Sequence, residues 1–151
     1  MDKDIKEVDI NEYMPVLIEL INKGNTVPLL ISGNSMSPFL VHHRDTILIS
    51  KLNKKLTKGD IVFFRRNNGK YVVHRIHHIN DEGQLYIVGD GQTVIEGPID
   101  QKQVFGIINE VIRKNKNINC KSFLWKFFSI LWIRMINIRS ILIRLYNFVK
   151  V

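Results

Sequence analysis

One cysteine, Cys120, is all that the 151 residues contain, so no disulfide can form within the chain. Acidic side chains run out after Glu110: Val111 to Val151 holds nine Lys or Arg and no Asp or Glu. The residues before it hold 13 basic and 14 acidic side chains, so the positive excess of +8 sits in the C-terminal quarter. A near-neutral remainder without a nucleic-acid-binding motif argues against DNA or RNA as a partner. Long apolar runs are missing too. Met1 to Asp9 is charged and has no apolar h-region, so a cleavable secretory signal is not expected. No uncharged stretch of the C-terminal segment reaches roughly 18 residues, which weakens a transmembrane reading. Internal repeats and low-complexity linkers are also lacking. What is plentiful is hydrophobic side chains, 45% of the chain, enough for one domain with a core and an appendage.

Turn residues punctuate that core at short intervals. The spacing predicts a helix over Asp9 to Lys23: Asp9 and Glu12 have capping-box spacing, and Met14, Leu17, Ile18 and Ile21 repeat at helical intervals. Gly24 suits the position after its end, and Pro15 would sit best at its first position. Short strands follow at Val27–Ile31, Asp45–Ser50, Asp60–Arg66, Lys70–Ile79, Gln84–Val88 and Gln103–Val111. Asn67-Asn68-Gly69 and Asp81-Glu82-Gly83 are hairpin signals between them. The pattern predicts a mainly β, barrel-like or coiled sheet. Three regions are expected: 1–26 as a helix packed on the core, 27–115 as the β domain, and 116–151 as a basic amphipathic helix.

Ser32-Gly33-Asn34-Ser35-Met36-Ser37-Pro38 follows the first apolar strand. Gly33 and Asn34 tolerate positive φ and Pro38 fixes the exit, so the turn lifts Ser35 clear of the sheet beside backbone N–H groups. A serine so placed is a nucleophile if a base lies within reach, and otherwise a polar turn residue. His74 is the natural partner, since an imidazole in mid-strand is unusual unless paired; a core histidine bonded to a backbone carbonyl is the plainer alternative.

Four motifs stand in order: Ser35-Met36-Ser37-Pro38, then Gly59-Asp60-Ile61-Val62-Phe63-Phe64, then Tyr71-Val72-Val73-His74-Arg75-Ile76, then Val88-Gly89-Asp90. Over roughly Val27 to Arg113 the chain resembles the serine peptidases of the signal peptidase I and LexA group. The resemblance is to the histidine branch, since His74-Arg75-Ile76 stands where the bacterial signal peptidases and LexA-like proteins have a lysine. It implies a coiled β-sheet domain with Ser35 as nucleophile, His74 as base and Asp90 as the acid that orients the base. It also implies an oxyanion hole from the Ser35 N–H, with Gly33 and Asn34 shaping the turn. Glu96 stands where that group often has a second acid, usually aspartate, and Gly91-Gln92 departs from the usual Asn. Asp60 is read as ordering its own turn. The usual signal peptidase I enzymes carry an N-terminal membrane anchor that is not expected here, and the family prefers small residues before the scissile bond.

No cofactor is implied, and no metal: His42, His43, His77 and His78 lack Cys or carboxylate partners at ligand spacing, and His78, expected on the same strand face as His74, lies about 13 Å away. From Ser122 to Lys150, a helical plot gathers Phe127, Leu131, Ile138, Leu142, Leu145 and Val149 on one side, with Lys126, Ser129, Asn137, Ser140, Arg144 and Asn147 opposite. The expectation is an interfacial helix on a membrane surface, with a helix packed on the domain or in an oligomer as the alternative. The expected function is cleavage of a leader or signal peptide from a precursor protein, the substrate lying extended beside Val27–Ile31. The catalytic domain is expected on the cytoplasmic side of the membrane. A non-catalytic peptide-binding protein of the same fold and a LexA-like self-cleaving regulator are the competing readings.

Overall fold

The computed structural model describes residues 10–150. Helix α1, Ile10–Asn22, buries Met14, Leu17 and Ile21, three residues at the 3–4 spacing that makes one helical stripe. Pro15 falls within its second turn, at the cost of one ladder hydrogen bond, and Gly24 follows its end at φ +91°. The Asp9 cap lies outside the described residues.

Among the described residues, eight antiparallel strands form one sheet. They are β1 (Val27–Leu30), β2 (Asp45–Ser50), β3 (Ile61–Arg65), β4 (Tyr71–Ile79), β5 (Leu85–Val88), β6 (Glu96–Ile99), β7 (Val104–Arg113) and β8 (Lys116–Asn119). Their order is β1-β2-β7-β3-β4-β5-β6, with β8 pairing the far half of β7. The mainly β fold with a helix at each end is the one expected, with two more strands. β3 is buried along nearly its whole length because the sheet has a core on each face. Ile61 and Phe63 join Met36, Phe39 and α1 on one side, while Val62 and Phe64 join Leu56, Ile76, Leu85 and Ile107 on the other.

The tail differs from one uniform helix over 116–151. It begins with β8, which folds back on β7 through Lys114 and Asn115, both at positive φ as a two-residue type I′ hairpin requires. Ser122 then caps a short α2, Phe123–Lys126, its Oγ accepting the Trp125 N–H at 3.3 Å. A π-helical turn over Phe127–Leu131 and a 3₁₀ turn over Trp132–Met135 precede α3, Arg139–Lys150. These changes of pitch shift the helical phase. The side chains buried inward are Trp125, Phe128, Trp132, Ile133 and Arg139; of the expected stripe, Phe127 and Leu142 pack partly against the core. Trp125 and Phe128 meet Phe39 at ring separations of 5.2 and 4.9 Å, which ties the segment into the main core. Ile138, Ile141, Leu145, Phe148 and Val149 remain exposed. No helix among the described residues is long and apolar enough to cross a membrane.

Candidate active site

The serine turn is anchored by what surrounds Ser35. Met36, Phe39 and Leu40 are almost wholly buried, and this apolar purchase leaves Ser35 half-buried between them and the surface. The Leu40 N–H donates to Met36 O at 2.8 Å and the Ser37 N–H to Asn34 O at 3.1 Å. Gly33 sits at φ +89°, a region glycine enters without strain. Its N–H donates to His42 Nδ1 at 2.8 Å, so that amide is already engaged. The Ser35 N–H has no acceptor among the described residues and stays available to an oxyanion.

The turn rests on the loop that leaves β5. The Gly91 N–H donates to Ser35 O at 2.8 Å, and the Asp90 N–H meets Met36 Sδ at 3.4 Å. Glycine is required by this approach: a Cβ on Gly91 would lie 2.8 Å from Asn34 O and Ser37 O, and one on Gly89 would collide with Ser35 O. Val88 pairs with Arg75 across β4–β5, so the loop starts one strand away from the residue next to His74.

The His74 ring is 1% exposed and packs near Phe64. Its Nδ1 lies 3.2 Å from Glu96 Oε1, and Arg66 grips the same carboxylate through Nε at 2.9 Å and Nη2 at 2.8 Å. The bond from His74, followed by the Arg66 pair, outweighs burial and holds the Glu96 carboxyl down at about 2. An ionised Glu96 can only accept, so Nδ1 carries the proton and the neutral ring presents its lone pair at Nε2. Nε2 has no partner among the described residues, where the one sealed and unpartnered side-chain nitrogen or oxygen is Arg139 Nε. The free edge of the ring is therefore open to a proton donor. No hydrogen bond joins Nε2 to the Ser35 hydroxyl among the described residues.

Asp90 is not the acid that meets His74. Both of its oxygens accept from Arg75, Nε and Nη2 each at 2.8 Å, and the pair is fully buried. Arg75 also donates to Gly59 O at 2.9 Å, with its guanidinium over Phe39 at 5.1 Å. The reason is the strand itself: neighbouring residues point to opposite faces, so an acid paired with Arg75 faces away from the ring of His74. Glu96 at the start of β6 reaches the other face and takes the position expected of Asp90.

Asp60 accepts from the Thr57 N–H at 2.9 Å and from Lys54 Nζ at 2.8 Å, ordering its turn. His78 does not continue the face of His74, because a bulge in the β4–β5 pairing breaks the alternation; its ring stacks on Tyr86 at 4.4 Å. The sequence assigned no site role to Arg66 or Arg75, and His42 was weighed there only as a metal ligand. The only signal for Arg75 was its place beside His74.

An antiparallel sheet that carries a serine turn on one loop and a carboxylate-held histidine on a strand is consistent with a serine peptidase. The family model described as Peptidase S24-like matches residues 3–112, and the chain belongs to that family. No curated protein matches the chain.

Proposed function

We propose that the protein is an endopeptidase that cleaves a leader or signal peptide from a precursor protein, with Ser35 as nucleophile and His74 as base. Glu96, in turn held by Arg66, keeps His74 in the tautomer whose Nε2 accepts a proton. The observation that carries the reading is this part-buried His74–Glu96 contact, because an imidazole held through Nδ1 is prepared for proton transfer at Nε2. Ser35 Oγ attacks the scissile carbonyl as its proton passes to Nε2. The tetrahedral oxygen takes its hydrogen bond from the Ser35 N–H. Nε2 then hands the proton to the leaving amine, and water hydrolyses the acyl-enzyme by the same route in reverse.

The substrate adds as an extended strand beside β1, which ends the sheet just before the serine turn. The outer side of the tail rests on anionic lipid. Ile141, Leu145, Phe148 and Val149 stand exposed there on a segment with nine basic and no acidic residues since Val111, a composition that suits the interface rather than a span.

The test is Ser35→Ala in the full chain, assayed against precursor peptides with small residues before the cut. Cleavage should vanish with the thermal midpoint unchanged. Cleavage that persists would make Ser35 a turn residue only.

A further inference from the structure

The loop carrying Gly89 to Gln92 is held from two sides. Its amides face the serine turn, as described above. Its carbonyls face the tail: the Trp132 Nε1–H donates to Asp90 O at 2.8 Å, and Arg139 Nη1 donates to Gly89 O at 3.1 Å and Gln92 O at 2.9 Å. Arg139 Nη2 closes the unit by donating to Trp132 O at 2.8 Å, with the guanidinium over the indole at 5.3 Å. Trp132 is 6% exposed and Arg139 not at all.

Packing alone does not account for this arginine. Burying a guanidinium is costly, and Arg139 forms no hydrogen bond to a carboxylate among the described residues; its Nε lacks any partner there. An aliphatic residue would fill the same space without that cost. What the fork supplies that an aliphatic residue cannot is a grip on two loop carbonyls while fixing the residue that holds a third. Downstream of the same contacts, Ser140, Ile143 and Arg144 of α3 face Gln92 and Glu96 across a cleft of about 630 Å³.

We propose that Trp132 and Arg139 are positioning residues for the nucleophile. They hold the 89–92 loop against the Ser35 turn, and so make the C-terminal segment part of the active site. This rests on the reading of Ser35 as nucleophile. Both residues lie beyond the stretch matched by the family model, so the device belongs to this chain's own tail.

The experiment uses Trp132→Phe and Arg139→Leu in the full chain, with three readouts: the thermal midpoint, amide hydrogen exchange, and kcat and KM on a cleaved peptide. Trp132→Phe keeps the ring and removes one donor. The Gly91 amide, bonded to Ser35 O, should exchange about tenfold faster while amides of β2 and β7 keep their rates. kcat should fall about tenfold with KM within twofold, the pattern of lost positioning rather than lost binding. If Arg139→Leu does not fold, Trp132→Phe carries the test. Unchanged Gly91 exchange in a folded variant overturns the proposal, and so does faster exchange with kcat intact. Should the wild type cleave no peptide, the nucleophile reading fails on its own. The exchange result then still decides whether the clamp exists.

Discussion

Replacing Glu96 by Gln separates the two acids most sharply, because it removes a charge while leaving an oxygen for His74 Nδ1–H. During attack the imidazole becomes an imidazolium 3.2 Å from that oxygen. A hydrogen bond to a charged group is worth about 1.5–3 kcal/mol, and the neutral amide forfeits most of it when the ring charges. At about 1.4 kcal/mol per decade, kcat should drop about 10- to 150-fold in Glu96→Gln. Stability gives a second check. The folded carboxyl sits at about 2 against an ordinary 4.5, so its contribution is full above 4.5 and is lost as pH falls toward 2. The full difference corresponds to at most about 3 kcal/mol, and solvent screening of a side chain 28% exposed brings it to about 1–2. Denaturant unfolding at pH 7 and pH 3 should therefore show a pH-dependent loss in the wild type that is smaller in Glu96→Gln. A variant with wild-type kcat would refute the role of Glu96.

Asp90→Asn should behave oppositely, costing about 3–5 kcal/mol of stability by leaving Arg75 buried without its anion, measured by urea unfolding. The fraction still folded should keep its activity. Removing residues 122–151 uncovers Phe39 and the core around it, so the truncated chain should fail to give a cooperative thermal transition by circular dichroism. Phe148→Asp with Val149→Asp, at two positions each 83% exposed, should abolish cosedimentation with anionic vesicles and leave the thermal midpoint within about two degrees.

Much of the sheet was legible because its signals are local. Asn67-Asn68-Gly69 falls between two apolar runs, and the runs became β3 and β4 within a residue of their expected ends. β6 was not legible: Gly97 and Pro98 occupy the middle of a four-residue strand, where both normally argue against one. β8 was hidden by its polar sequence. The choice between Asp90 and Glu96 turned on which face of β4 each acid meets, and a one-dimensional spacing does not carry that. Arg75, adjacent to His74 but pointing the other way, claimed the nearer acid. The helical plot of the tail assumed a constant 100° per residue. The π and 3₁₀ turns between Phe127 and Met135 break that assumption and bring Arg139 inside.

A proline occupies each terminal strand of the main order, Pro28 in β1 and Pro98 in β6. The Ile31 N–H bonds inward to Asp45 O at 2.9 Å, so by alternation Val27 and Leu29 also bond toward β2, and Pro28 and Leu30 face outward. Of the two outward positions in β1, only Leu30 then offers an N–H. Another copy of the chain finds no continuous ladder to extend there, which protects the open side against strand-by-strand growth. A single peptide needs less. It gains both a donor and an acceptor at Leu30, and only an acceptor farther back at Pro28. The same missing hydrogen that discourages aggregation thus biases an incoming chain toward the end of β1 from which the serine turn departs.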